Sequence, residues 1–91
     1  GRIQYCNMHY DYFLKIQNGD LSTRSTNDLK RRIPEHNSGN VESTKNYLPV
    51  ALIGYEAYIL KSDAQRREKF LKTTEGRRLI KRQYHDILNK E

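Results

Sequence analysis

Residues 25–39 read STNDLKRRIPEHNSG and predict a short helix with a defined start and stop. The polar residues 26–28 can cap a helix N-terminus, where a carboxylate also suits the positive end of the helix dipole. Gly39 closes the stretch, as glycine commonly does just after a helix. We therefore predict a helix over residues 27–37.

Two polar groups share one side of this predicted helix. Leu29 and Ile33 are four residues apart and form an apolar stripe. Arg32 and His36, also four apart, project together beside that stripe. A guanidinium and an imidazole at the rim of a core suit phosphate chemistry, but they also occur on ordinary solvated helix faces. Pro34 would cost roughly 3 kcal/mol inside a regular helix, so we expect a bend or an irregular last turn.

The chain as a whole is basic. Its 91 residues suffice for one small domain and carry 17 Lys and Arg against 11 Asp and Glu, a net charge of +6. From Lys61 onward there are ten basic and five acidic residues, so most of the excess lies in the C-terminal third. Such a balance favours a polyanionic partner, because bound phosphates release their counterions.

Several classes of protein are excluded or disfavoured. The single cysteine, Cys6, rules out an intramolecular disulfide and a multi-cysteine zinc site. The sequence shows neither a signal-peptide pattern nor a run of about 18 apolar residues. We expect a cytoplasmic monomer with no membrane partner and no small-molecule cofactor. Residues 1–9 carry no pattern and are expected to be a frayed or foreign start, followed by a single domain over residues 10–91.

Three strands are predicted. Residues 10–16 mix aromatic and aliphatic side chains, and the Asn18-Gly19 pair that follows is a strong hairpin signal. Residues 21–24 would be the returning strand, and their short, polar character places it at an edge. Residues 50–58 read VALIGYEAY, and the first half of this segment is apolar on both faces, which predicts a central strand.

Two further helices follow the third strand. Ser62 and Gln65 fit a capping box and begin a helix over residues 63–72. Residues 74–76 mark a break before a last helix over 77–89. The order β-β-α-β-α-α predicts an α+β fold, a small three-stranded, mainly antiparallel sheet flanked by helices. The inner stripe of the last helix is expected to be Ile80, Tyr84, Ile87 and Leu88, and its basic side Arg77, Arg78, Lys81 and Arg82.

Glu68 has an unusual position on the first of these two helices. With Ala64 and Leu71 it falls on the apolar face. A bare charge there is costly, so the carboxylate must be paired or bound to something. One interpretation is a structural ion pair with Arg32 or a lysine, and the other is a ligand.

Several blocks match one family in order and spacing. They are YDYFLK at 10–15, NGDL at 18–21, STNDLKRRIPEHNSG at 25–39, STK at 43–45, and YEAY, AQRREKFLK and EGRRLIK within 55–81. In these blocks the chain resembles the small stand-alone GIY-YIG nuclease domains, which are related to the N-terminal nuclease module of the excision-repair protein UvrC. The resemblance implies a hydrolase that cleaves phosphodiester bonds in duplex or branched DNA, in repair or recombination, using one Mg²⁺ or Mn²⁺.

The resemblance also implies the site. Tyr12 takes the role of the first active-site tyrosine, Arg32 that of the arginine on the scissile phosphate, His36 that of the histidine after it, and Glu68 that of the metal ligand. The chemistry is consistent, because arginine can clamp phosphate, a carboxylate can hold a hard divalent ion, and a phenol can orient or deprotonate water. The candidate DNA contacts are Lys15, Arg31, Lys45, Arg77 and Arg78.

The chain departs from the family at the second motif, expected as Tyr-x-Gly but present as Ser22-Thr23-Arg24. Ser22 stands where the family places its general-base tyrosine, and its hydroxyl is shorter and far less acidic than a phenol of pKa about 10. Arg24 adds bulk and charge where the family keeps glycine. Two hypotheses remain open: an endonuclease in which Tyr10, Tyr12 or metal-activated water compensates, and an impaired module that only binds nucleic acid.

Overall fold

The middle strand of the sheet is β1 (His9–Lys15), which lies between β2 (Leu21–Thr26) and β3 (Ala51–Tyr58). Both pairings are antiparallel. The computed structural model describes residues 8–39, 41, 45 and 48–90. The hairpin between β1 and β2 turns at Gly19, whose φ of 87° favours a residue without a side chain. The predictions for residues 1–7, Cys6 among them, fall outside the described part of the chain.

The order of the strands corrects one prediction. β2 is an edge strand, as expected, but β3 is the other edge and not the centre. Residues 11–14 of β1 are wholly buried, whereas Ala51 and Leu52 of β3 are exposed. The reason is that β1 has a neighbouring strand on each side and a core on each face, whereas β3 has a strand on one side only.

Four helices complete the fold: α1 (Leu29–Asn37), α2 (Lys61–Leu71), α3 (Thr74–Gln83) and α4 (His85–Leu88). The order confirms the β-β-α-β-α-α arrangement, with the last predicted helix divided at Tyr84 into α3 and α4. At the start of α1, the Asp28 carboxylate accepts a hydrogen bond from the Arg31 N–H at 3.2 Å. α1 continues through Pro34.

The starts of α2 and α3 differ from the prediction. α2 begins at Lys61, and no side chain caps it, so the capping box at Ser62 does not form. α3 begins at Thr74, because the Thr73 hydroxyl accepts from the Gly76 N–H at 3.1 Å and caps the helix there. Gly76 thus lies inside the first turn of α3 and not in a break.

Alternate side chains of β1 enter two separate cores. Tyr12 and Leu14 pack with Val50 and with the apolar stripe of α1. Phe13 faces the other way and packs with Leu71 of α2 and Ile80 of α3. Ile87, expected on the inner stripe, is instead 39% exposed.

The two cores have a direct consequence for the site: functional groups from α1 and from α2 approach the sheet from opposite faces. Within the described residues, no helix is both long enough and apolar enough to cross a membrane.

Candidate active site

A buried tyrosine–histidine pair joins β1 to the last turn of α1. The Oη atom of Tyr12 lies 2.9 Å from Nε2 of His36, and neither side chain is exposed to solvent. Burial raises the pKa of Tyr12 above its usual 10.0 and lowers the pKa of His36 below 6.5. At neutral pH the phenol is therefore protonated and the imidazole is neutral, and one hydrogen bond joins Oη of Tyr12 to Nε2 of His36.

Two guanidinium groups lie beside this pair. Arg32 is one turn before His36 on α1, and Arg24 is the register partner of Tyr12 on β2. Both charges contribute to the lowered pKa of His36, and both oppose the effect of burial on the pKa of Tyr12. The Nη1 atom of Arg32 donates to Glu35 Oε2 at 2.7 Å, which fixes the orientation of its guanidinium.

Ser22 and Arg24, the two departures from the second motif, contact each other. The Nε atom of Arg24 donates to the Ser22 hydroxyl at 3.2 Å. Both residues have the same orientation on β2 as the side chains of β1 that face α1, because Ser22 pairs with Leu14 and Arg24 with Tyr12. Ser22, at the position of the missing tyrosine, therefore accepts a hydrogen bond from Arg24, which lies next to Tyr12.

Glu68 lies on the other side of the sheet from the Tyr12–His36 pair. It lies on α2 between the buried residues Ala64 and Leu71, and its side chain is 22% exposed. Its Oε2 atom is 3.4 Å from Nζ of Lys72, so an ion pair with a lysine is present. Arg32, the other partner considered, is paired with Glu35 instead.

A cavity of about 320 Å³ opens beside Glu68 at the end of β2. The segment that leads from β2 into α1 forms part of its wall, so the cavity lies where the edge strand ends. The lining residues are His9, Ser25, Thr26, Asn27, Lys61, Gln65 and Glu68.

Asp11 is a buried acid next to this cavity that the sequence interpretation missed. It pairs in register with Ser25 on β2 and with Glu56 on β3, and no solvent reaches it. Neither carboxylate oxygen has a hydrogen-bond partner. Burial raises the pKa of Asp11 to about 6; the charges of Glu68 and Glu56 add to this rise, and the Ser25 side chain and the charge of Arg67 oppose it. The available signal was an acid inside an otherwise aromatic and aliphatic strand.

The oxygen atoms near the cavity are suitable for a hard divalent cation. No three His, Cys, Asp or Glu side chains in the described part of the chain converge as a complete metal cluster. Mg²⁺, however, is usually held by one or two carboxylates and keeps several waters. Glu68, with the unpartnered carboxylate of Asp11 nearby, offers such a donor set.

The comparison with protein families decides the identity of the fold. The model of the GIY-YIG catalytic domain matches residues 8–83. The chain belongs to the GIY-YIG family.

Similar proteins place this GIY-YIG domain among small relatives of comparable length. It is 36% identical over 74 residues to a UPF0213 protein of Staphylococcus saprophyticus, and the aligned region covers 80% of this chain and 90% of that protein. It is 41% identical over 64 residues to a UPF0213 protein of Streptococcus agalactiae, covering 69% and 73%. The solution NMR structure of a UPF0213 protein from Bacillus halodurans matches with a TM-score of 0.52 and 30% identity, over 80% of this chain and 81% of that one.

The predicted DNA contacts of this GIY-YIG domain are dispersed. Arg77 lines a groove of about 500 Å³ between β2 and α3, together with three cations that were not proposed as contacts, Arg24, Lys72 and Lys81. Arg78 lines the neighbouring groove. The other three candidates, Lys15, Arg31 and Lys45, line neither groove, and Arg31 pairs with Glu35 at 3.3 Å.

Proposed function

We propose that this GIY-YIG domain is a metal-dependent DNA endonuclease that hydrolyses phosphodiester bonds. The observation that carries the proposal is the distribution of charge around β2. Arg24 and Arg32 lie on one face of this edge strand, and Glu68 lines the cavity at its end on the other. A DNA strand that follows this edge could meet both cations and the carboxylate.

The two arginines would bind the scissile phosphate. Negative charge grows on the phosphate oxygens as the bond to the leaving oxygen breaks, and fixed donors aimed at that charge stabilise it. Arg32 is held by Glu35 before the substrate arrives, so less ordering is needed on binding. The Arg32 side chain is 34% exposed, which leaves part of the guanidinium accessible to DNA.

Tyr12 and His36 would act as positioning residues and not as groups that touch DNA. Both are wholly buried, and the raised pKa of Tyr12 makes its phenolate scarce at neutral pH. Their hydrogen bond ties α1 to β1 and thereby holds Arg32 next to the edge of the sheet. The same buried phenol interacts with Arg32, which contributes to the raised pKa of that guanidinium after the larger contribution of Glu35.

Glu68 would hold the divalent ion. A bound Mg²⁺ or Mn²⁺ lowers the pKa of water and stabilises charge on phosphate oxygens. Since position 22 carries serine, this chain has no phenol at the second-motif position to deprotonate the attacking water. Lys72, the present partner of Glu68, would release the carboxylate when the ion binds.

Nicking of supercoiled plasmid in the presence of Mg²⁺ or Mn²⁺ tests the proposal. The wild-type protein should nick, and Arg32→Ala and Glu68→Gln should each reduce the rate by about 100-fold or more, since each removes a group that meets transition-state charge. Arg66→Ala is the matched control, because Arg66 lies on the exposed side of α2 and pairs with Asp63 at 2.9 Å. No nicking by the wild type, or nicking indifferent to both changes, would contradict the proposal.

One observation favours a second candidate, a GIY-YIG domain that binds nucleic acid without cleaving it. Arg24 fills the place of the motif glycine and is bonded to Ser22, so the second motif has become cationic. With Lys72, Arg77 and Lys81 it lines one groove that could follow a phosphate backbone. Salt-dependent, sequence-indifferent binding with no metal-dependent nicking would support this candidate.

A further inference from the structure

The carboxylate of Asp11 is an unusual group in the centre of the sheet. It lies on β1 two residues before Phe13, on the face that α2 covers. Its side chain is wholly buried, and both of its oxygens lack hydrogen-bond partners. Buried carboxylates in folded proteins are normally paired or coordinate a metal, because an isolated buried charge is very costly.

The groups that could have paired with Asp11 are occupied by its neighbour on β3. Glu56 accepts from Arg67 Nε at 3.1 Å and Nη2 at 3.4 Å, and from the Tyr58 hydroxyl at 2.7 Å. Glu56 is therefore fully engaged in a structural network. Asp11 is left facing Ser25 and the charge of Glu68.

The cavity at the end of β2 is lined by Glu68 and by the strand neighbour of Asp11. Ser25, the register partner of Asp11, and Glu68 both line it, and its volume of about 320 Å³ is large enough for an ion with several waters. Asp11 does not itself line the cavity; it lies beside Ser25 in the sheet, one strand in from the cavity wall. Glu68 thus lines the cavity from α2, and the buried Asp11 lies next to that wall on β1, close enough for the charge of Glu68 to raise its pKa.

From this geometry we infer that Asp11 is a second carboxylate ligand of the divalent-metal site formed by Glu68. The inference rests on the proposed function, because that function assigns the ion to Glu68. The ligand class is a hard cation, Mg²⁺ or Mn²⁺, since all the donors are oxygens. Two carboxylates and retained waters are a usual environment for such an ion. An apolar residue at position 11 would suit the buried strand better, so the acid has a cost that metal binding offsets.

Mn²⁺ binding to the DNA-free protein tests the inference, measured by the electron paramagnetic resonance signal of unbound Mn²⁺. Asp11→Asn should weaken binding by about 10- to 100-fold, as loss of a metal-site carboxylate commonly does. Asp63→Asn is the control, because Asp63 is an acid on the same helix as Glu68 whose partner is Arg66. Wild-type affinity in Asp11→Asn would overturn the inference.

Folding is checked on the same variants by circular dichroism during thermal unfolding. Without metal, Asp11→Asn should melt at or above the wild-type temperature, since the change removes an unpaired buried charge. Added Mn²⁺ should raise the melting temperature of the wild type and not that of the variant. If Asp11→Asn does not fold, Asp11→Leu replaces it. A rise in melting temperature on adding Mn²⁺ that equals the wild-type rise, in either variant, counts against the inference.

Failure of the inference and failure of the proposed function give different results. If Glu68→Gln loses Mn²⁺ binding while Asp11→Asn keeps it, Asp11 is not a ligand and the nuclease proposal is unaffected. If neither substitution changes Mn²⁺ binding, the metal site assigned to Glu68 is wrong, and both proposals fail together.

Discussion

The phenol oxygen of Tyr12 lies 2.9 Å from Nε2 of His36, in a place that solvent does not reach. This contact joins the central strand to the end of α1, the helix that carries Arg32. A buried hydrogen bond is sensitive to geometry, because breaking it leaves polar atoms unsatisfied away from water. The position of Arg32 next to the edge of the sheet therefore depends on two residues that would not themselves touch DNA.

Replacing Tyr12 by phenylalanine should destabilise the protein. The ring still fills the core, but Nε2 of His36 loses its hydrogen bond to the phenol, which costs about 1–3 kcal/mol. Urea unfolding followed by circular dichroism measures the change. Tyr55→Phe is the control, since Tyr55 is 54% exposed and should change stability by about 0.5 kcal/mol or less. Wild-type stability in Tyr12→Phe would show that the buried contact does not hold α1.

His36 should make folding stability depend on pH. Burial, reinforced by Arg24 and Arg32, lowers its folded pKa below 6.5, so the unfolded chain takes up the proton first. The free energy of unfolding should therefore fall as pH drops below about 6.5. His36→Gln, which keeps a polar group able to bond Tyr12, should lose less stability than wild type between about pH 7 and pH 5.

The control for His36 is His85, the exposed histidine at the start of α4. His85→Gln should retain the wild-type pH dependence. Equal pH dependence in wild type and His36→Gln would mean that His36 does not enter the fold in its neutral form.

Restoring the family motif should raise nuclease activity. The double change Ser22→Tyr and Arg24→Gly places a phenol at the edge strand and removes the arginine now bonded to Ser22. A positioned general base typically adds about 100-fold or more, so we expect metal-dependent nicking to rise at least about 10-fold. Unchanged or slower nicking in a folded double variant would show that position 22 does not limit the reaction.

The groove between β2 and α3 should bind the DNA backbone. Arg77→Gln with Lys81→Gln should weaken binding to all duplex sequences alike and should reduce the salt slope of log K by about 0.9 for each phosphate that the protein no longer neutralises. Fluorescence anisotropy with a labelled duplex over a range of KCl concentrations measures both. Arg66→Gln, which removes one exposed charge of α2 outside both grooves, is the control, and a loss of affinity half as large as that of the double variant or larger would argue against a defined path.

Gly76→Ala should destabilise the junction of α2 and α3. A Cβ atom there would meet the Phe70 carbonyl and the Leu71 backbone, which cannot shift without moving α2. We expect a loss of about 1–3 kcal/mol in the free energy of unfolding. Gln83→Ala, exposed on the same helix, should stay within about 0.5 kcal/mol of wild type. A stable Gly76→Ala variant would mean that the two helices can separate at little cost.

Local signals predicted most helices and strands of the fold. The features that were predicted wrongly depend on contacts between residues far apart in the sequence. Gly19 and the cap at Asp28 act within a few residues, so the hairpin and α1 could be predicted from the sequence. The edge position of β3 depends on how the three strands pair and on which strand the helices cover. The apolar residues at the start of β3 carry no information about that. In the sequence Gly76 indicated a break between two helices. In the structure it lies inside α3, and position 76 requires glycine because the Phe70 carbonyl approaches it closely.

For the candidate site, the sequence indicated which residues share a helix face but not how the helices place those residues around the sheet. Helix periodicity grouped Arg32 with His36 and placed Glu68 on an apolar face, as the structure has them. It could not show that Glu68 approaches from the opposite side of the sheet, since that depends on how α2 packs. The acid at position 11 could be seen in the sequence, but its lack of hydrogen-bond partners could not, because that depends on Glu56 pairing with Arg67 across the sheet.

The most direct test of the central claim is single-turnover cleavage of a labelled DNA duplex by Glu68→Gln and wild type, with DNA binding measured by anisotropy in the same samples. We predict that both proteins bind the duplex, that wild type cleaves it only with Mg²⁺ or Mn²⁺, and that Glu68→Gln cleaves at least about 100-fold more slowly. Cleavage by Glu68→Gln at the wild-type rate, or bound DNA that wild type leaves intact with either metal, would contradict the assignment of this GIY-YIG domain as a metal-dependent nuclease.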